Sequence, residues 1–377
     1  MSKFPQGRPT FCLIDHDALR WNLQQIRATV GSGVKILSMV KANAYGHGAA
    51  AVAQTLAKAG GDAFGVATLE EGIELRHAGI VAPIMVVAGV YPGQIEQFLA
   101  HALAPALYDT QGLSDLEAAA RGLGATLNIH LKVDTGMGRL GLIAAEIDGW
   151  LPQLKTLSAL RLAGVFSHFS TAESVEGDYT KKQLETFADV IKRMAADGVR
   201  PGHFHLANSA ATITLPAAYF DMVRPGIMLY GVYPSPEMAG RITLKPVLSW
   251  RTKIIQLKKV APGTSISYGQ TFITARESLI ATLPVGYADG YPRLLSNRGE
   301  VLVHGRRATV AGRVCMDLTM IDVTDIRNVQ QGDEVVLLGR QREAEITADE
   351  LAAWANTISY EIFTSIGARV PRIHQTV

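Results

Sequence analysis

Between positions 34 and 229 the chain alternates short apolar runs with segments of helical period, the pattern of parallel strands joined by helical crossovers. Eight candidate strands fall near 34–40, 63–67, 84–88, 103–108, 127–133, 160–166, 203–206 and 222–229. Eight strand–helix units in roughly two hundred residues predict a closed (β/α)8 TIM-like barrel rather than an open sheet. Thr180-Lys-Lys-Gln183 has the spacing of a capping box ahead of Leu184, Phe187, Ile191 and Met194, with Gly198 as the stop. The seventh and eighth units carry weaker patterns, because 210–215 reads as a poor helix and Pro225 interrupts the last strand. After about Pro236 the texture becomes strand and turn, with runs at 278–284, 300–304, 307–314, 318–323 and 334–338. These predict a C-terminal, mostly antiparallel β domain holding one late helix that starts at the capping box Thr347-Ala-Asp-Glu350 and runs through Leu351, Trp354 and Ile358. The expected division is 1–14, an N-terminal strand able to join the β domain; 15–236, the barrel; and 237–377, the β domain.

The 377 residues, 48% of them hydrophobic, can bury two cores. A formal charge of +2, from 36 basic and 34 acidic residues, gives no field directed at nucleic acid or at a membrane surface. The first ten positions have no apolar stretch of secretory type, and the longest apolar run, 82–90, is broken by Pro83 and too short to span a bilayer. With Cys12 and Cys315 as the only cysteines and histidines scattered without ligand spacing, the sequence predicts a cytoplasmic protein with no disulfide framework and no metal site.

In such a barrel catalytic groups belong where strands end. The first strand ends in Lys41, followed by Ala-Asn-Ala-Tyr45-Gly46-His47-Gly48. A lysine desolvated there has a lowered pKa and offers a neutral amine for a Schiff base; the competing reading is a lysine snorkelling from the barrel mouth or paired with a carboxylate. Gly136-Met-Gly138-Arg-Leu-Gly141 satisfies G-x-G-x-x-G after a strand, but about twenty positions on, where a dinucleotide site wants an acid, the chain has Leu160 and Arg161.

The stretch from Val40 to Gly48 resembles the lysine signature of the alanine racemases, enzymes of the pyridoxal 5′-phosphate (PLP) fold type III class. Further matches follow in order: Lys132-Val-Asp-Thr-Gly-Met-Gly-Arg139, Ser167-His168-Phe, Ala207-Asn208-Ser209, Arg224-Pro-Gly226-Ile227, Ser267-Tyr268-Gly269, Val285-Gly286-Tyr287-Ala288-Asp289-Gly290, Gly312-Arg-Val-Cys-Met316-Asp317 and Ser359-Tyr360-Glu361. The resemblance implies that Lys41 carries PLP and that inversion at the α carbon uses two bases, Lys41 and Tyr268. It implies a homodimer in which Tyr268 and Met316 reach the site from the other subunit. It assigns Arg224 to the pyridine nitrogen, where its charge disfavours ring protonation, with His168 beside it. Phosphate binding falls to Tyr45, Asn208, Ser209, Gly226, Ile227 and Tyr360, and the substrate carboxylate to Arg139 and to the main chain of Met316. In some relatives a lysine at the position of Lys132 is carbamylated and orients that arginine. Tyr360 and Tyr287 resemble aromatics that narrow the entrance to alanine size.

Without the family, Tyr268 reads as a turn aromatic, Arg224 as one half of a surface ion pair, Asn208 as an N-cap and His168 as a structural histidine. Rival functions are a racemase of broader range, a decarboxylase of the same barrel class, or a PLP-binding protein without catalysis. The substantial β domain and Tyr268 argue against the last. Supply or degradation of D-alanine, the former for peptidoglycan, is the implied role.

Overall fold

The computed structural model describes residues 7–174 and 177–376. Its contacts divide the chain into two units: Ala18–Ala44 with Ala49–Lys245, and the N-terminal segment through Asp17 with Tyr45–Gly48 and everything from Pro246.

In the first unit the apolar runs become Lys35–Met39, Ala63–Val66, Ile84–Val86, Leu103–Leu107, Leu127–Asp134, Leu160–Phe166, Phe204–His205 and Met222–Val223. Each pairs in parallel with the next, and the eighth returns to the first through Met222↔Lys35 and Val223↔Ile36, so the barrel closes. Strands such as Ala63–Val66 and Ile84–Val86 are buried at every position, which is why they read as continuous rather than alternating apolar runs. The last strand stops at Val223, because Pro225 has no N–H to extend the ladder, and a 3-10 helix, Ile227–Tyr230, replaces the rest of the expected strand.

Two expectations for the crossovers need correction. The segment around 210–215 does form a helix, Ser209–Thr214, started by Asn208, whose side chain accepts from Ala211 N–H at 3.0 Å. The helix expected to start at Thr180 begins at Asp178 and has no side-chain cap; Thr180 instead donates to Thr171 O, and Gln183 is buried, accepting from Ser170 N–H and donating to His168 O. The segment 237–245, expected with the β domain, packs in the barrel unit. There Asn22 donates to Leu229 O and Lys245 O, and Lys245 Nζ lies 4.2 Å from the centre of the Trp21 ring.

The second unit is built on a sheet ordered Gln256–Val260, Ser278–Leu283, Thr319–Asp322, Arg306–Val310, Glu300–Val303, Glu334–Gln341, Leu248–Lys253, Phe11–Asp15 and Arg372–Gln375. All neighbours are antiparallel except the last pair. Phe11–Asp15 therefore sits inside this sheet. Trp250 and Tyr291, both fully buried, meet edge to face at 5.8 Å in its core. The Thr347–Glu350 capping box forms, but its helix, Ala348–Trp354, ends before Ile358, which precedes a separate helix, Ser359–Ser365.

Candidate active site

Lys41 follows the first barrel strand directly, and the chain after it turns the unusual way. Ala42, Asn43, Ala44 and Tyr45 have φ of 52°, 53°, 53° and 52°, a left-handed turn within Lys41–Gly46. Left-handed backbone costs an L-residue with a Cβ roughly 1–2 kcal/mol, asparagine less than most. Specific bonds hold the turn: Ala44 N–H to Val40 O at 2.8 Å, Ala42 N–H to Glu71 Oε1 at 2.6 Å, and Ala49 N–H to Asn43 Oδ1 at 2.8 Å. Strain kept in place by surrounding structure, here over four residues after a strand-end lysine, clusters at working sites and marks this turn as a candidate.

Lys41 lies among cations. Burial first, then Arg139, push its ammonium below the ordinary lysine value, with Glu71 opposing. Lys132, on Leu127–Asp134, is 4% exposed and is lowered to about 8, by burial and then by Arg139, Arg224 and Lys41, with Asp134 opposing. Its ammonium is 5.8 Å from the Phe166 ring centre. His168 is half-buried and held well below its usual value, by desolvation and then by Arg224, Arg139, Lys132 and Lys41. The charges of all four cations thus act on one imidazole, which Arg224 reaches directly at 3.3 Å. The two carboxylates nearby are already engaged: Glu71 accepts from Ala42 and Ala67 N–H, and Asp134 from the loop amides of Gly136, Met137 and Gly138. Such a donor set fits a ligand that brings several anionic oxygens.

Arg224 is buried and brought down to about 9 by desolvation. It donates to Ser167 O at 2.6 Å and Leu206 O at 3.0 Å, and reaches Nδ1 of His205 at 3.1 Å and of His168 at 3.3 Å. Its guanidinium and the Phe166 ring are 5.4 Å apart, with Phe166 stacked on His205 at 5.1 Å. The surface ion-pair reading of Arg224 therefore fails. Beside it, Gly226 N–H donates to Ser209 Oγ at 2.8 Å, bringing the start of Ser209–Thr214 to the start of Ile227–Tyr230, with buried Ile227 as its first residue. Hydroxyl and amide donors gathered there suit a phosphate.

Arg139 is exposed and makes no ion pair among the described residues. Its loop is an Asp134-centred turn, latched by Tyr179 donating to Gly136 O at 2.8 Å. No helix opens at Gly136–Gly141, so the dinucleotide reading is excluded. Among the described residues no cluster of three or more His, Cys, Asp or Glu is arranged to hold a metal ion, and no helix is long and apolar enough to cross a membrane.

The remaining candidates belong to the second unit. Tyr45 is buried there against Tyr360, ring centres 5.9 Å apart, and burial raises its phenol. Tyr268 opens the short 3-10 segment Tyr268–Gln270 after Ser267, which has φ 66° and donates to Arg313 O at 2.6 Å. Tyr268 is 72% exposed, Met316 54% and Tyr287 42%, large side chains turned outward.

The family models described as alanine racemase, N-terminal domain and C-terminal domain match residues 14–234 and 247–374. The chain belongs to the alanine racemase family. Relatives in that family include the alanine racemases of Halothermothrix orenii, 47% identical across 97% of this chain and 96% of that one, and of Symbiobacterium thermophilum, 48% identical across 97% of both. Solved structures agree: alanine racemase from Bacillus anthracis with bound L-Ala-P, TM-score 0.93 and 39% identity over 98% of this chain and 96% of that, and the enzyme from D-cycloserine-producing Streptomyces lavendulae, TM-score 0.93 and 37% identity over 99% and 98%. The family works with PLP, and the donor set described above fits that cofactor: cations, hydroxyl and amides for its phosphate, and a buried guanidinium for its ring nitrogen.

Residue-by-residue reading of the sequence passed over Glu71, His205 and His130. Glu71 had a signal, since Thr68-Leu-Glu-Glu71 has capping-box spacing; the box forms, and its glutamate also holds Ala42. The two histidines sit inside strands, and nothing in their spacing marks them.

Proposed function

We propose that the chain interconverts L- and D-alanine with PLP, Lys41 and Tyr268 acting as opposed bases. The observation that carries this reading is the left-handed turn directly after Lys41, a strand-end lysine whose pKa is lowered by burial first and then by Arg139. When bound, PLP supplies an electron sink that makes the substrate's α proton acidic. Lys41 holds the cofactor and, as a neutral amine, takes or returns that proton on one face; Tyr268 serves the other face. Arg224, charged at neutral pH, would face the ring nitrogen and keep a proton off it, which limits side chemistry. Ser209, Gly226 and Ile227, with Tyr45, Tyr360 and Asn208 in support, hold the phosphate. Arg139 and Met316 hold the carboxylate.

Lys132, lowered to about 8 by burial first and making no ion pair among the described residues, suits reaction of its neutral amine with CO2, which releases a proton and leaves a carbamate available to Arg139. Exposure of Tyr268, Ile273, Tyr287, Leu294, Met316 and Leu318 in one unit supports a homodimer in which Tyr268 and Met316 complete the partner's site. The proposed setting is the cytoplasm, with D-alanine supplied to peptidoglycan.

The deciding experiment is chiral analysis of L-alanine incubated with protein and PLP in deuterated water. D-alanine carrying α-deuterium is expected. Failure of both inversion and exchange with PLP bound would sink the proposal.

A further inference from the structure

The β unit contains a carboxylate sealed from solvent. Asp289 is 0% exposed, and an ionised group survives such burial only with strong partners. Arg8 supplies a fork: Nη1 donates to Oδ1 at 2.7 Å and Nη2 to Oδ2, while Nε and Nη2 also donate to Pro284 O at 3.0 and 2.7 Å. Gly286 N–H donates to Oδ2 at 3.0 Å. Arg369 Nε stands 3.4 Å from Oδ1, and its Nη2 donates to Asp317 Oδ1 at 2.7 Å.

This knot fixes the turn Tyr287–Asp289, and the turn in turn fixes the loop of Met316. Tyr287 N–H donates to Cys315 O and Ala288 N–H to Met316 O, both at 3.0 Å. There is no slack between the two segments, since a Cβ on Gly286 would lie 2.3 Å from Cys315 O. A trans peptide is planar, so the C=O of Cys315 and the N–H of Met316 point in opposite directions. Binding that carbonyl to Tyr287 therefore aims the Met316 N–H away from the turn.

We propose that Asp289, locked by Arg8, is a positioning residue that orients the Met316 N–H as a donor to the substrate carboxylate. This rests on the reading that the Met316 main chain holds that carboxylate. Asp289 touches no substrate; it acts through the turn.

The test measures KM and kcat for both alanine enantiomers, and inhibition by acetate, a carboxylate without an amino group, on the holoenzyme and its Asp289→Asn, Arg8→Gln and Arg8→Lys variants. A carboxylate donor acts equally in ground and transition states, so KM for alanine and Ki for acetate should rise together by roughly tenfold while kcat stays within about twofold. Arg8→Lys should recover part of the loss. Unchanged KM and Ki with a lowered melting temperature would make Asp289 a brace of the fold and overturn the proposal, as would a fall in kcat at constant KM. If Asp289→Asn does not fold, Arg8→Gln, which leaves the carboxylate its Gly286 and Arg369 partners, gives the same readout. Arg139→Gln is run beside them: if acetate binding ignores that change too, the carboxylate reading itself has failed and takes this proposal with it. If acetate responds to Arg139→Gln alone, only the role of Asp289 falls.

Discussion

Arg224 lies 3.1 Å from Nδ1 of His205, so a buried arginine sets the tautomer of a buried imidazole. A guanidinium can only donate, so Nδ1 accepts and the proton sits on Nε2, 3.0 Å from Nδ1 of His130. His130 accepts in turn. Both rings are held well below the usual histidine value by burial first, His130 to about 3, and so stay neutral beside the cation. Room for them comes from Gly164, where a Cβ would stand 2.4 Å from His130 Nδ1. Arg224→Gln keeps a donor but removes the charge proposed to oppose protonation of the cofactor ring. Racemisation should fall by roughly tenfold or more, and pyruvate from transamination should become detectable; unchanged rates in both directions would remove Arg224 from the mechanism.

Replacing Lys41 by alanine takes away the amine proposed to hold the cofactor. The visible absorption of bound PLP should vanish after dialysis, and a band that survives would show that another residue holds it.

Tyr268→Phe leaves the ring and takes away the hydroxyl proposed as the second proton carrier. Loss of α-proton exchange should be far greater starting from L-alanine than from D-alanine, measured by deuterium incorporation at early times. Equal loss from both enantiomers would contradict the pairing of Lys41 with Tyr268 on opposite faces.

The left-handed turn predicts a stabilising change beside the site. Ala42 has φ 52° and is exposed, so Ala42→Gly removes Cβ strain and should raise the unfolding free energy by about 1 kcal/mol, less the extra entropy of a glycine in the unfolded chain. Chemical denaturation measures it, and a loss of stability would mean that the turn is not strained.

How legible all this was in the sequence varies by residue type. The barrel strands were legible because burial on both faces needs uninterrupted apolar runs, and Ile84–Val86 has no other use for its side chains. The helix Ser209–Thr214 was not, because Thr212, Ile213 and Thr214 have poor helix propensity; the Asn208 cap and the burial of its first turn outweigh that. The left-handed course of Ala-Asn-Ala-Tyr45 was not legible either; only Asn43 hints at it, since the bonds to Val40 O and Glu71 that hold it form only when the chain is folded. Likewise, Gln183 matched a capping box by spacing while its amide was needed by His168 O and Ser170 N–H, contacts invisible before the loop is folded.

Away from the site, Glu117 predicts how the barrel responds to acid. Burial would raise its carboxyl, but hydrogen bonds from Arg121, Ser158 and Ala159 prevail and hold it at about 2, against 4.5 unperturbed. Leu160 N–H donates to the same group at 3.0 Å, tying the helix Thr110–Gly122 to the strand Leu160–Phe166. A depressed carboxyl stabilises the folded state above its unfolded pKa and ceases to as pH falls through its folded one. Glu117→Gln should therefore cost about 1–3 kcal/mol at pH 7, and the gap from wild type should shrink steadily between pH 4.5 and 2. A gap independent of pH in urea titrations would argue against this role.

The two shortest barrel strands, Phe204–His205 and Met222–Val223, form the seam through which the cylinder closes, with backbone bonds such as Lys35 N–H to Asp221 O and Met39 N–H to Pro225 O extending it past the ladder. Closure there joins residues almost two hundred positions apart, so it carries the largest loop entropy of any strand pairing in the barrel and belongs late in folding. That seam also runs beside Arg224, Gly226 and Ser209. A cofactor bound to those residues would rivet the last joint of the barrel, and amide hydrogen exchange along Met222–Val223 should slow on loading more than anywhere on the opposite wall.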